Sequence, residues 1–163
     1  MERLEGMTRS QWLLSATALL AVYGVGQVWL VQLSSYHLWP YVGPHDFEGY
    51  HWAWWRSIWG PLMVPAGVVF IGAILMLWVR PPGIPSWAVW LGFALQMLIA
   101  LGTAIWWGPL MARVSAPDTG LIAPLYRQLM LTHWLRVALI TGYGLLASWM
   151  LLTTLTATSA SRS

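Results

Sequence analysis

Apolar residues fill four long segments of the chain, and short stretches rich in proline, glycine or polar residues separate them. The segments cover about residues 11–33, 50–79, 87–111 and 125–155. About 20 predominantly apolar residues are enough for a helix to cross the hydrocarbon core of a bilayer. The pattern therefore predicts an all-α integral membrane protein, a bundle of four transmembrane helices with up-down-up-down topology and one transmembrane domain over residues 1–163.

The connections between these segments differ in composition. Residues 34–49 combine Pro and Gly with Tyr, Trp and Phe. This is typical of an aromatic loop at headgroup depth, where an apolar ring keeps its polar atom hydrated. Residues 80–86 hold three prolines and a glycine, which predicts a tight connection. Within the second segment, Pro61 and Pro65 are expected to kink the helix or to end its first third.

Four crossings would place both termini and the 80–86 connection on one side of the membrane. The eight arginines divide evenly between the two sides, and lysine is absent. Because Arg56 and Arg136 are expected to point into the protein, the remaining arginines favour cytoplasmic termini. The absence of both Lys and Asn is typical of a GC-rich bacterial genome, so we expect a bacterial inner membrane protein.

Composition narrows the classes of protein further. Hydrophobic residues make up 58% of the chain and charged residues 8%, against about 25% charged residues in soluble domains. The lack of cysteine excludes disulfides and thiolate metal sites. No basic cluster of the kind that follows a phosphate backbone is present, so nucleic acid is not expected as a partner. The expected surroundings are the lipid bilayer.

The last segment carries ionisable residues where a lipid-facing helix would have none. At about 100° of rotation per residue, Arg136 lies about 60° and Tyr143 about 80° to the same side of His133. Arg127 lies about 120° away on the other side and is expected to face headgroups. Ionisable groups inside a membrane cost about 2.5–3.5 kcal/mol and tend to be paired and functional. We therefore interpret His133 and Arg136 as candidate catalytic residues.

Each of the other segments offers a face with polar or small residues, and such faces turn toward neighbouring helices in a membrane. The faces consist of Tyr23, Gln27 and Ser34; of Trp52, Arg56, Trp59 and Met63; and of Gln96, Ala100, Thr103 and Trp107. They predict a half-buried pocket near one membrane face, with a planar aromatic or quinone-like molecule as its ligand. The predicted ligand-binding residues are Arg56, Trp55, Trp59, Trp107, Trp134 and Tyr143.

These residues also have purely structural interpretations. Arg136 could pair with Asp46, Glu48 or Asp118 and hold the loops in place. His133 could simply form a hydrogen bond with a neighbouring helix. Tryptophans in membrane proteins commonly form an interfacial belt, which requires no ligand.

No metal and no cofactor are predicted. No pair among the four histidines has the i, i+4 or HxH spacing of a compact metal site. Two alternatives stay open. One is a copper or zinc site formed by His37, His45 and Asp46, and the other is a haem held between His51 and His133.

Two short motifs resemble the anthrone oxygenase-like family of small four-helix membrane proteins. Residues 107–111, Trp-Gly-Pro-Leu-Met, share the Pro-Leu core of an Asn-x-Pro-Leu-Asn segment that ends the family's third span. Residues 132–137, Thr-His-Trp-Leu-Arg-Val, share the arginine of a Trp-Asn-x-x-Arg-Thr segment in its fourth span. The departures from the family pattern are Trp107, Met111 and His133 at the Asn positions, Thr132 at the Trp position and Val137 at the Thr position.

The resemblance implies an oxygenase without metal or cofactor, because fungal relatives oxidise anthrones to anthraquinones with dioxygen. In such a reaction His133 would act as general base, and Arg136 and Arg56 would stabilise the developing oxyanion. The residues expected to stack on the substrate are Trp55, Trp59, Trp107 and Trp134. The competing hypothesis is a non-catalytic accessory subunit of a larger respiratory or photosynthetic complex, with other membrane protein subunits as partners. Whether the protein is an enzyme is left open by the sequence.

Overall fold

A computed structural model describes residues 8–114 and 123–160, and these residues form helices joined by short connections. Within this part of the chain, four helices are long and apolar enough to cross a membrane, which indicates a membrane protein. They are α1 (Arg9–Tyr41), α2 (Phe47–Leu75), α3 (Ser86–Val114) and α4 (Ala123–Ala160). Two of them contain a π-helical segment, at Val31–Ser35 in α1 and at Thr103–Trp107 in α3.

The connection between α1 and α2 is shorter than predicted. α1 continues helically through residues 34–41, which the sequence pattern assigned to an aromatic loop, so residues 42–46 alone join the two helices. Pro40 allows this extension because it lies in the first turn of a 3₁₀ segment, where its missing N–H group has no helical partner. The aromatic residues of this region therefore lie on helices and can be held in fixed positions.

α2 runs without a break from Phe47 to Leu75 and contains both Pro61 and Pro65. The expectation that these prolines end the first third of the helix is therefore not met. Membrane helices tolerate proline because local adjustments and neighbouring groups satisfy the carbonyls that it leaves free. The tight connection predicted between α2 and α3 is present, and it uses Gly83 at a φ of 82°, a conformation that favours glycine.

The long helices pack in a closed arrangement, in which α1 and α3 each contact both α2 and α4. Small residues allow the close approaches. A side chain added at Gly72 of α2 would collide with Thr17 of α1. A Cβ atom at Gly144 of α4 would lie 2.6 Å from the Val25 side chain of α1. Small residues at helix contacts are the usual way in which helices associate in lipid, where the hydrophobic effect does not drive them together.

Two clusters of buried residues lie toward opposite ends of the helices. The apolar cluster includes Leu14, Ala18, Met76, Ala88, Ala147 and Met150. The aromatic cluster includes Val31, Tyr36, Trp39, Phe47, Val114 and Leu129. Along α1, α3 and α4, the buried polar side chains of Gln32, Gln96 and His133 lie near or between these two clusters. The bundle thus has a polar layer inside, which is where a site would be expected.

Candidate functional site

A cavity of about 130 Å³ lies in this polar layer, beside the aromatic cluster. We call it the main cavity. Its walls include His51, Trp54, Trp55, Trp107, His133 and Arg136, and residues of all four long helices contribute to it. The structure therefore brings the two predicted catalytic residues together with Trp55 and Trp107, two of the tryptophans predicted to contact a ligand.

Arg136 is the cation of the main cavity. Its guanidinium carbon lies 5.7 Å from the centroid of the Trp107 ring, within cation–π range. Its Nε atom is buried and has no hydrogen-bond partner among the described residues. No carboxylate in residues 8–114 and 123–160 pairs with it, so Asp46 and Glu48 do not hold it as the structural interpretation required. Asp118, the third carboxylate considered for that role, lies outside the described residues.

His133 is buried, with 1% of its surface exposed, and a hydrogen bond fixes its orientation. Its Nδ1 atom lies 2.7 Å from Oε1 of Gln32, which is itself fully buried. The Gln32 amide nitrogen donates to the Met130 carbonyl at 3.5 Å, so the Gln32 oxygen is the atom that faces the imidazole. Because an amide oxygen can only accept, Nδ1 of His133 carries the proton. In the neutral imidazole Nε2 then keeps its lone pair and can accept a proton.

The sequence interpretation missed Gln32, because it selected Gln27 and Ser34 as the inward positions of the first helix. A uniform α-helix places Gln32 about 140° from Gln27. Gln32 belongs to the π-helical segment Val31–Ser35, in which the backbone N–H of Tyr36 reaches back five residues to the Val31 carbonyl. Gln32 continues the buried stripe of Ala18, Ala21 and Val28 at spacings of three, seven and four residues, so the ordinary helical stripe accounts for its inward position. An amide within an apolar membrane span is the kind of signal that could have identified it, and the first span carries such amides at Gln27 and Gln32.

Trp107 owes its position to the second π-helical segment. Its ring is buried, and its Nε1 atom has no hydrogen-bond partner. A Cβ atom at Gly102 would lie 2.6 Å from the ring, and one at Gly108 would lie 2.8 Å from the Thr103 carbonyl oxygen. Glycine at both positions therefore makes room for the ring and for the π-helical turn. π-Helical turns of this kind occur frequently at functional sites.

His51 forms another wall of the main cavity and is held by the aromatic cluster. Its ring centroid lies 4.9 Å from that of Trp39 and 5.7 Å from that of Trp54. Its Nε2 atom lies 3.3 Å from the sulfur of Met111. His51 and His133 thus line one cavity, as the haem alternative needed. The space there is close to that of a cavity of about 150 Å³ that holds a benzene molecule, far too small for a porphyrin.

Three predicted ligand-binding residues are exposed and lie outside the main cavity. Arg56 is exposed, Trp59 is 53% exposed, and Trp134 is 42% exposed and packs edge-on against Trp29 at 5.6 Å. The inward face of α2 centres on His51, which lies about 140° from Arg56 around the helix. The sequence pattern predicted Arg56 and Trp59 on the inward face because both faces of this helix are apolar.

A second cavity, of about 70 Å³, adjoins the main one. Both are lined by Leu62, Met63, Arg136 and Ile140, so Arg136 borders the two spaces. Tyr143, the remaining predicted ligand contact, lines the second cavity only, and its buried hydroxyl has no hydrogen-bond partner. The polar stripe predicted for α4 therefore faces inward along its length, while Arg127 is exposed.

In the part of the chain that the structure describes, no group of three or more His, Asp or Glu side chains is close enough to bind a metal ion. His37, a member of the loop alternative, directs its Nδ1 to the Gln32 carbonyl at 2.8 Å. The groups that line the site are a hydrogen-bonded imidazole, a guanidinium with no carboxylate partner among the described residues, and aromatic rings.

Comparison with known proteins found no matching family model, no matching curated protein and no matching solved structure. The resemblance to the anthrone oxygenase-like family thus rests on the two motifs alone. The motif positions Trp107, Met111, His133 and Arg136 all line the main cavity.

Proposed function

We propose that this membrane protein binds a planar aromatic molecule with a polar oxygen in the main cavity, and that His133 and Arg136 act on it. The observation that carries the proposal is the Arg136 guanidinium, which faces a cavity with aromatic walls and has no carboxylate partner among the described residues. A largely enclosed cation whose charge is not balanced by a carboxylate is costly. An oxygen acceptor on a bound ligand would supply the missing interaction, and tryptophan rings would stack on its plane.

The reaction we propose begins with proton abstraction. His133 accepts a proton from the ligand at Nε2, while its Nδ1–H stays bonded to Gln32. The negative charge that develops on the ligand oxygen is stabilised by Arg136. In the oxygenation that the family resemblance implies, the resulting carbanion reduces dioxygen. One oxygen atom becomes a ring carbonyl and the other leaves as water. Arg136, which the chain shares with the family's fourth-span motif, lines the main cavity and supports this choice of reaction class, while Trp107, Met111 and His133 there replace the family's Asn residues.

For the membrane arrangement, we propose up-down-up-down crossings of a bacterial inner membrane with both termini in the cytoplasm. The absence of native cysteine makes this directly testable. His45→Cys and Pro82→Cys place single thiols in the α1–α2 and α2–α3 connections. In intact cells an impermeant maleimide is expected to label the thiol at 45 and not the thiol at 82. Labelling of both thiols would contradict the up-down-up-down topology. Labelling of the thiol at 82 alone would show that the termini lie on the periplasmic side.

An accessory role in a larger membrane complex is the second candidate, and the outward tryptophans favour it. Trp78, Trp87 and Trp90 are each more than half exposed. Such rings could face lipid or the helices of partner subunits. A partner subunit that stays bound through purification in mild detergent, together with an empty main cavity in every ligand titration, would favour this role over the first.

The binding proposal is tested with the protein in lipid nanodiscs and a panel of one-, two- and three-ring phenols and quinones. Arg136→Met removes the guanidinium, and Arg127→Met removes an exposed arginine of the same helix as a matched control. Loss of the hydrogen bond to a charged donor, worth about 1.5–3 kcal/mol, predicts at least a 10-fold loss of affinity in Arg136→Met only. His133→Ala is expected to stop dioxygen consumption. The absence of saturable binding, or equal binding by both arginine variants, would refute the proposal.

A further inference from the structure

The size of the main cavity limits the ligand to one ring. A cavity of about 150 Å³ with apolar walls holds a single benzene molecule. The main cavity has about 130 Å³, and indole rings form part of its walls. A fused three-ring system, as in an anthrone, is much larger than this space. The geometry therefore points to a smaller ligand than the one that the family resemblance implies.

The polar groups of the cavity define the ligand oxygen. Arg136 can only donate hydrogen bonds. His133, with its proton on Nδ1, can only accept at Nε2. The two residues are three positions apart on α4, so their side chains are neighbours on the helix surface, with about 5–6 Å between Cβ atoms. A phenolic hydroxyl satisfies both, because its oxygen accepts from Arg136 while its hydrogen is donated to His133. A quinone carbonyl satisfies only Arg136.

The second cavity indicates where a substituent of the bound ring would extend. It adjoins the main cavity at Arg136 and Ile140, and its walls include Leu20, Ala66 and Val69. At about 70 Å³ it has room for a short chain but not for another ring. An aliphatic substituent of the bound ring could extend past Arg136 into this space.

We propose that the ligand is a one-ring phenol with an aliphatic substituent, whose hydroxyl lies between His133 and Arg136 and whose substituent occupies the second cavity. This inference rests on the proposed function and narrows its ligand class. Each methylene that enters the second cavity is expected to raise affinity from water about fourfold.

Equilibrium dialysis against nanodiscs, with empty nanodiscs as background, measures the affinities. The probes are phenol, 4-butylphenol, 4-butylanisole and the three-ring anthrone. We expect 4-butylphenol to bind on the order of 10-fold or more tightly than phenol. The anisole cannot donate to His133 and is expected to bind on the order of 10-fold more weakly than 4-butylphenol. Anthrone is expected not to bind.

A glycine pair tests the place of the substituent. Gly24 lines the second cavity, and Gly26 lines neither cavity; an added Cβ has open space at both positions. Gly24→Leu should abolish most of the preference for 4-butylphenol over phenol, whereas Gly26→Leu should keep it. An equal preference in both variants would overturn the placement of the substituent.

Two further outcomes separate this inference from the proposed function. If anthrone binds as tightly as 4-butylphenol and depends on Arg136, the one-ring assignment is wrong and the binding function stands. If no probe binds in an Arg136-dependent way, both proposals fail.

Discussion

The hydrogen bond between Gln32 and His133 is the structural claim most open to a quantitative test. Both side chains are buried, and the 2.7 Å contact joins residues 101 positions apart in the sequence. Gln32→Leu would leave Nδ1–H of His133 without an acceptor, which typically costs about 1–3 kcal/mol. Replacing both residues with leucine removes the orphaned group as well. We therefore expect the double variant to be more stable than the sum of the single changes predicts.

The magnitude can be set from membrane helices in general. Coupling energies between hydrogen-bonded side chains in a membrane protein average about 0.6 kcal/mol and reach about 1.7 kcal/mol. Because both partners here are buried, we expect a value in the upper part of that range. The assay is reversible unfolding by a denaturing detergent, followed by far-ultraviolet circular dichroism. The free energies of unfolding of the wild type, Gln32→Leu, His133→Leu and the double variant form a double-mutant cycle.

Gln27 provides the matched control for this cycle. It lies on the same helix and donates to the Tyr23 hydroxyl at 3.0 Å, and no hydrogen bond joins it to His133. Gln27→Leu combined with His133→Leu should therefore show no coupling beyond about 0.3–0.5 kcal/mol, the scatter expected for independent sites. A coupling energy within that scatter for Gln32 and His133 would show that their hydrogen bond does not form. The assignment of the proton to Nδ1 of His133 would then have no support.

Two further predictions concern the cavity walls. Gly102→Ala would put a Cβ atom 2.6 Å from the Trp107 ring. It should therefore lower the free energy of unfolding by about 1–3 kcal/mol and reduce the affinity for aromatic ligands. Gly67→Ala has open space around the added atom and should change neither quantity. Detergent unfolding and dialysis measure both effects. Trp55→Ala should weaken a stacked ligand about 2- to 12-fold, since an aromatic pair contributes about 0.5–1.5 kcal/mol. Trp59 lies outside the cavity, so Trp59→Ala should not change the affinity. A similar loss of affinity in both variants would contradict the inward face assigned to α2.

The sequence predicted the four long helices and the inward face of α4 well, for identifiable reasons. Hydrocarbon thickness sets a length that only long apolar segments meet, so each predicted span corresponds to one helix. α4 is α-helical from Ala123 to Ala160. A constant rotation per residue therefore predicts correctly that His133, Arg136 and Tyr143 lie on one face. Where both conditions hold, residue spacing alone can locate a site.

The remaining features depended on information that spacing does not contain. In lipid, the outer face of α2 is as apolar as the inner one, so nothing in the pattern distinguished Arg56 from His51 as the inward residue. In α1, Gln32 lies on the buried stripe of Ala21 and Val28, but polar Tyr23 and Gln27 drew the prediction to the neighbouring face. The extension of α1 past Pro40 was missed because proline at the start of a 3₁₀ turn does not end a helix.

The π-helical segment of α3 has a consequence for how this protein could change over time. Five residues, Thr103–Trp107, occupy a turn that an α-helix would complete with fewer, so the segment acts as a retained insertion. Deleting one of them would let the segment close as an ordinary α-helical turn, and Leu110 and Val114 would keep their places in the aromatic cluster because the wide turn alone accommodates the extra residue. The change would be confined to the cavity wall that Trp107 forms. The number of residues in this segment therefore sets the shape of the cavity without setting the packing of the helix beyond it.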